Sequence, residues 1–439
     1  MLILSACIVL AAIFLGVQKG GFALPLYCFV GLGILSFFCG ISPTSPPYTV
    51  MMIMFAVTTL GGCLQCTGGM DYLVNIASRI LRRHPNHVTI IAPLITFMFT
   101  VCTGTAQIVM ALLPVISEVA RKAGVRPERP LGASCAAATH GIMASPLSAA
   151  MAAWVGYLSA RGITFGQMMM VLFPALTLGV LCGALSVYRK GKDLSEDPEF
   201  LHRVEQGLTS TLSTQKTDDY RPSKQAKVSV IIFLISIALI LFFGAFGQYL
   251  PHYQVNGKET VLSISVAIQI ISLTAAGILV FACGADPKKI SETVVFKGGV
   301  YAVFICFGVA FLTDSFFNAF KPELIAGLGG FVQAHPWTFA VALMFMSAIL
   351  MSQGATTFAM LPLGLTLGIP APMLLAMAPA INATYILPVS PSLITAVALD
   401  STGTTTLGKW MFDHSAERPG LVTTISSLIF SFLLVEVLL

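Results

Sequence analysis

Thr103-Gly104-Thr105-Ala106-Gln107 and Ser352-Gln353-Gly354-Ala355-Thr356 decide how this chain folds. Each polar run interrupts a long apolar stretch, and each is framed by the same landmarks. His84-Pro85 precedes the first, and Leu113-Pro114 and Ser145-Pro146 follow it. His335-Pro336 precedes the second, and Leu361-Pro362 and Ser390-Pro391 follow it. Pro85 to Pro114 is 29 residues and Pro114 to Pro146 is 32; Pro336 to Pro362 is 26 and Pro362 to Pro391 is 29. Four landmarks in one order at near-equal spacing indicate an internal repeat.

The surrounding sequence says which solvent this repeat lives in. Of 439 residues, 56% are hydrophobic and 10% charged, where soluble domains carry about a quarter charged. The mean hydropathy of +0.87 has no water-soluble reading at this length. Charge-free runs long enough to cross about 30 Å of hydrocarbon cover roughly residues 2–18, 22–41, 49–67, 165–188, 228–247, 261–282, 296–313 and 420–438. The stretches 87–160 and 337–400 are too long for one crossing and rich in Gly, Ser, Thr and Pro. Each reads as a re-entrant hairpin (87–122 and 337–368) followed by a broken helix (131–160 and 372–400). Such breaks are tolerated at membrane depth only where protein or a watery cavity covers them. The predicted fold is therefore an all-α integral membrane protein of about ten transmembrane helices plus two hairpins. The first repeat is 1–188, a cytoplasmic linker follows at 189–227, and the second repeat is 228–439.

Charge placement orients the chain. In this topology 21 Lys and Arg lie on one side and only Arg161, Lys258 and Lys321 on the other. Basic loops face the cytoplasm, so the linker is inside and both termini are outside. Sending residues 104–122 fully across would put Arg121–Arg129 on the wrong side, so the hairpin reading wins. Five crossings precede the linker, and the two repeats are then inverted. Inverted repeats with paired interrupted helices are the mark of secondary transporters, whose site lies near the midplane. Asp71–Arg83 reads as an amphipathic helix on the inner surface, with Tyr72, Ile76 and Ile80 in lipid and its arginines at the headgroups. The cysteines lie mostly in apolar runs and read as small core residues. Cys63-x-x-Cys66 stands alone, short of the four ligands of a zinc site. The first apolar run has no cleavable-signal pattern.

The breaks carry the chemistry. Each starts a half-helix whose free N–H groups and partial positive charge attract anions. Thr103, Gly104, Thr105 and Gln107 in the first turn, and Ser352, Gln353, Gly354 and Thr356 in the second, are the candidate substrate-binding residues, with Gly104 and Gly354 permitting tight turns. Ser145 and Ser148 join them from the first broken helix, and Asn382, Thr384, Ser390 and Ser392 from the second. Carbonyls freed near Pro146 and Pro391 suit a coupling cation, Na+ or H+. No other cofactor, metal or nucleic-acid partner is expected, and no Ser/His/Asp arrangement points to an enzyme. His140 has Tyr385 at its repeat position and reads as a structural histidine, with a proton carrier as the alternative. No carboxylate lies near either turn, so no carboxylate proton relay is expected. Glu118 pairs with Lys122 one turn on. Asp400–Thr405 reads as a helix C-cap or as a surface for a regulatory partner.

Particular motifs carry a resemblance. Gly68-Gly69-Met70-Asp71-Tyr72, Leu81-Arg82-Arg83-His84-Pro85, Arg126-Pro127-Glu128-Arg129-Pro130, Ala144-Ser145-Pro146, Ile386-Leu387-Pro388 and Asp400-Ser401-Thr402-Gly403-Thr404-Thr405 resemble the anaerobic C4-dicarboxylate transporter (Dcu) family, over nearly the whole chain. That resemblance implies a bacterial inner-membrane carrier of fumarate, succinate, malate or aspartate, working by exchange or cation-linked uptake. It also implies the ion-transporter superfamily's scaffold and mobile transport domains, and a homodimer. Ala106, Thr139-His140 and Ser390 depart from the family pattern, and all lie at the expected site.

Overall fold

The computed structural model describes residues 1–206, 222–255, 258–326, 330–388, 390–408 and 413–439. The central part of the expected linker, with Lys216, Asp218, Asp219 and Arg221, and also Lys409, lies outside them. Among the described residues, eight helices are long and apolar enough to cross a membrane. They include α1 (Leu2–Lys19), α3 (Tyr48–Cys66), α9 (Phe165–Ser186), α11 (Lys224–Ala245), α12 (Ile264–Cys283) and α22 (Glu417–Leu438). Two more are composite: Pro85–Thr103, which includes α5 (Val88–Thr103), and Val294–Ala319. In the latter a π turn at Cys306–Ala310 separates α14 (Val294–Ile305) from α15 (Phe311–Ala319).

The apolar run 22–41 is helical only as α2 (Ala23–Phe37). Gly40, Pro43, Pro46 and Pro47 then hold the chain out of helix, since proline lacks the N–H and fixes φ. An entirely helical fold is also corrected. His252–Val255 (β1) and Lys258–Val261 (β2) pair antiparallel, with His252 opposite Val261.

Both odd stretches fold as a helix–turn–helix followed by a broken helix. In the first, α5 turns at Gly104 into α6 (Ile108–Lys122); α7 (Glu128–Gly141) breaks over residues 142–148 before α8 (Ala149–Ser159). In the second, α18 (Trp337–Leu350) turns at Met351 into α19 (Gln353–Thr366). Then α20 (Ala371–Met377) tightens to a 3-10 turn through Tyr385, and α21 (Pro391–Leu399) resumes. Gly104 takes φ 71 to cap α5. The equivalent left-handed position in the second turn belongs to Met351 (φ 50), and Gly354 is an ordinary helical residue.

Two apolar cores hold these elements. The larger joins the long helices to the second hairpin. The smaller packs α4 (Gly69–Arg83) against α5, α6, α7 and α21 through Ala77, Leu81, Leu112, Ile116, Leu131 and Leu393. The inward stripe of α4 is thus Met70, Leu73, Ala77 and Leu81, and Tyr72, Ile76 and Ile80 form a second, more open stripe. Glu118 bonds both Lys122 (2.6 Å) and Arg82 (3.0 Å), tying α4 to α6.

The start of the linker is folded onto α7 rather than free in solvent. Arg129 donates to the Lys190 and Gly191 carbonyls and to Asp193, Arg126 pairs with Asp197, and Lys190 pairs with Glu128 (2.7 Å). Asp197 then caps α10 (Pro198–Glu205) by accepting from the Phe200 N–H. Three short helices, α13 (Pro287–Ile290), α16 (Lys321–Leu324) and α17 (Gly330–Ala334), complete the chain order.

Candidate functional site

The two turns share one cavity. It encloses about 310 Å³ and is lined by Thr103, Gly104, Thr105, Ala106 and Gln107 from the first hairpin and by Ser352, Gln353 and Gly354 from the second. Leu147, Ala149 and Ala150 close it from the first helix break. The opposite wall is Met54, Val57 and Thr58 of α3 with Val294, Val295, Gly298, Gly299, Tyr301 and Ala302 of α14.

Among the described residues, none that lines it carries a charge. Attraction for an anion comes instead from backbone. Gln107 is the N-cap of α6, Ala149 and Ala150 begin α8, Val294 and Val295 begin α14, and Gln353 and Gly354 begin α19. Four helix N-termini therefore open on one space, each with a partial positive charge of about half a unit. Among the described residues, the N–H groups of Ala149, Ala150, Gln353 and Gly354 have no acceptor. They remain available to a ligand's oxygens.

The polar side chains divide between binding and building. Thr105 is half-buried at the cavity and accepts from the Gln107 N–H (3.3 Å), while Gln107 itself is exposed. Gln353 donates to the Thr139 carbonyl at 3.3 Å, so the second hairpin touches the first broken helix. Thr103 bonds back to the Phe99 carbonyl (2.7 Å), and Thr356 to Ser352 (2.8 Å). Thr356 is fully buried and lies away from the cavity wall. Ser148, Ser352 and Ser390 are N-caps, accepting from Met151, Ala355 and Leu393. Ser145 anchors the break to the hairpin by donating to the Val101 carbonyl (2.7 Å).

Ser145, Ser148, Thr356, Asn382, Thr384, Ser390 and Ser392 are thus not among the cavity's lining residues. Nor are Pro146 and Pro391. Asn382 stands apart even so: it is fully buried, and among the described residues neither its amide oxygen nor its nitrogen finds a partner.

The aligned pair His140 and Tyr385 meet. Their rings stack with centroids 5.9 Å apart, and both bond the Thr424 hydroxyl, at 2.9 and 2.7 Å. His140 also bonds the Ala136 carbonyl (2.8 Å), so both its nitrogens are engaged in structure. The α3–α14 wall was invisible to repeat logic, because neither helix belongs to a matched stretch. The only signal was Gly298-Gly299 at the head of an apolar run. A Cβ on Gly299 would overlap Thr58.

A family model described as "Anaerobic c4-dicarboxylate membrane transporter" matches residues 1–439. The chain belongs to this family. DcuB of Escherichia coli, an anaerobic C4-dicarboxylate transporter by name, is 34% identical over 439 residues, covering 97% of this chain and 96% of its own. The C4-dicarboxylate transporter DcuA of Wolinella succinogenes is 33% identical over 442 residues, with both chains fully covered. Among solved structures, the YdaH transporter of Alcanivorax borkumensis superposes with a TM-score of 0.56 at 16% identity, over 93% of this chain and 87% of its own. It shares the fold. This Dcu-family chain is accordingly a multi-pass membrane protein of a transporter family, and not an enzyme.

Proposed function

We propose that this Dcu-family chain carries C4-dicarboxylates such as fumarate, succinate, malate or aspartate across the bacterial inner membrane, by exchange or by uptake linked to Na+ or H+. The cavity between the hairpin turns is the substrate site. One observation carries the reading: an uncharged cavity at the meeting of two repeats is surrounded by helix N-termini and unbonded N–H groups. A dianion needs two poles of attraction a few ångströms apart, and two turns from opposite repeats supply them. A volume of about 310 Å³ lies at the small end of ligand pockets, in keeping with a substrate of about eight heavy atoms.

In this reading the hairpins enter the bilayer from opposite faces, the repeats are inverted, about ten segments cross, and both termini lie outside. The hairpins and broken helices form a body that moves against the remaining helices, in a homodimer. Thr105 and Gln353 bind substrate directly, with Thr103, Gly104, Gln107, Ser352 and Gly354 shaping the site. Ser145, Ser148, Thr356, Asn382, Thr384, Ser390 and Ser392 support it, with a coupling-cation region near Pro146 and Pro391.

Counterflow of labelled succinate in proteoliposomes tests the reading, with fumarate, malate, aspartate, citrate and gluconate as competitors. C4-dicarboxylates should compete and the others should not. Thr105→Ala and Gln353→Ala should each weaken succinate affinity about tenfold, the value of one hydrogen bond to a charged group. Unchanged affinity in both variants would place the site elsewhere. Strong competition by citrate would mean a different anion.

A further inference from the structure

A second cavity, of about 340 Å³, lies among the ends of α8, α15 and α19. Its walls are Thr44, Tyr157, Arg161, Asp314, Asn318, Lys321 and the turn of α19 from Pro362 to Thr366. Two of the three cations that sequence placed on the sparsely charged face, Arg161 and Lys321, converge here. So does Asp314, on the composite span Val294–Ala319. The charge-free run in the sequence ends at residue 313, just short of the acid. An ionisable side chain within a membrane-spanning segment is costly and marks a functional position.

The contacts of Asp314 cross a boundary. It accepts from the Tyr157 hydroxyl at 2.9 Å. Asp314 sits on α15, which packs on α1 and α2 and also on the hairpin helix α19. Tyr157 sits on α8, which continues the broken helix and packs on α19, where the Trp154 ring N–H bonds Thr357. This bond and a second, from the Thr313 hydroxyl to the Phe358 carbonyl of α19 (2.9 Å), therefore link the hairpin-bearing body to α15, and of the two only the Asp314–Tyr157 bond can titrate.

Among the described residues, the titratable groups facing Asp314 across the cavity are Tyr157 and Arg161 from the α8 end and Lys321 from α16; Cys306 lies behind it on the π turn. The segment before α3 and α19 contribute Thr44, Pro362, Leu365 and Thr366, none of which titrates. Arg161 donates to the Tyr157 carbonyl (2.7 Å), and neither Arg161 nor Lys321 has a carboxylate within ion-pair distance among the described residues.

We propose that Asp314 is a proton-binding site whose bond to Tyr157 is the titratable part of the contact between the hairpin body and α15, and that this contact weakens when the carboxylate is protonated. The inference rests on the transport reading above and names its coupling ion as a proton, held at Asp314 in place of the region near Pro146 and Pro391. As a carboxylate, Asp314 makes a charge-assisted bond with the phenol, and sliding α8 away would leave an anion in the membrane stripped of its donor. A proton from the water of the cavity converts it to a neutral acid. The bond weakens, the cost of separation falls, and the proton travels with the closed cycle to leave on the opposite side.

The test uses the full-length protein in proteoliposomes with labelled succinate. Wild type should show counterflow at symmetric pH and should accumulate succinate when the cavity side is made acid, with a pH-sensitive dye reporting co-transported protons. In Asp314→Asn, counterflow should persist while gradient-driven accumulation and the dye signal drop at least tenfold, and the rate should no longer vary with pH. Should Asp314→Asn not purify, Asp314→Glu and Tyr157→Phe carry the test, because each keeps the acid but alters its bond. The pH of half-maximal uptake should move by about one unit in both. Accumulation by Asp314→Asn equal to wild type, or an unmoved profile in both alternatives, overturns the proton site. Wild-type counterflow without any gradient response also overturns it. Absence of counterflow in the wild type instead overturns the transport reading beneath it.

Discussion

At Gly104 two constraints coincide. The backbone sits at φ 71, and a Cβ would lie 2.7 Å from the Leu147 carbonyl oxygen. An L-residue there costs about 1–2 kcal/mol in backbone strain, and overpacking against rigid backbone adds about 1–3 kcal/mol. Gly354 has neither constraint, for its nearest neighbour would be Phe358 at 3.8 Å. Gly104→Ala should therefore lower the apparent melting temperature in detergent markedly, and Gly354→Ala should leave it nearly unchanged. Equal effects would refute the asymmetry between the turns. The second turn stores its strain in Met351, the one described non-glycine residue at positive φ. Asn adopts this conformation more readily than most residues, and β-branched residues least. Met351→Asn should stabilise by up to about 1 kcal/mol, and Met351→Val should destabilise by at least that much. Glycine is a poorer choice than Asn, because its added unfolded-state entropy offsets about 0.5–1 kcal/mol of the relief.

Helices in lipid gain little from apolar contact alone, so small residues decide which of them pack closely. Gly179 and Gly183 form such a pair on α9. A Cβ on either would overlap α22, at Ser427 for Gly179 and at Thr423 for Gly183. Gly179→Val should force the helices apart and destabilise by about 1–3 kcal/mol, measurable as lost monodisperse protein after heating; retention of wild-type stability would show the contact to be loose. At this scale the two helix–turn–helix units are legible, because proline, glycine and hydroxyl residues punctuate both stretches in one order. What the sequence leaves open is the job each hydroxyl does. Ser148, Ser352 and Ser390 look like ligands in a polar cluster, but a serine at the start of a helix is drawn to that helix's own N–H groups. The β1–β2 pair was overlooked although Asn256-Gly257 between the strands is the strongest short signal for such pairing. Asp314 was overlooked because the π turn at Cys306–Ala310 lets a composite helix run on beyond where hydropathy ended it.

Across the whole molecule, the candidate site has two unlike walls. One is the pair of hairpin turns, the second held to the first broken helix through Gln353 and Thr139 and the first hairpin to its break through Ser145 and Val101. The other is α3 with α14, joined to each other where the Gln65 side chain accepts from the Val295 N–H (3.1 Å). No hydrogen bond among the described residues joins the α3–α14 wall directly to either turn. A carrier must expose its site first to one side and then to the other, and the seam with the fewest polar ties is the cheapest to slide. Thr58 on α3 and Gln107 on the first turn line opposite walls of the same cavity. With the ten native cysteines replaced, Thr58→Cys together with Gln107→Cys should crosslink through a short bifunctional thiol reagent. Crosslinking should stop counterflow, and cleaving the linker should restore it. A control pair within one wall, Gln65→Cys with Val295→Cys, should crosslink without stopping flux. If the cross-wall link forms and succinate still exchanges at the unlinked rate, the hairpin turns and the α3–α14 wall move as one body. The moving seam must then lie elsewhere.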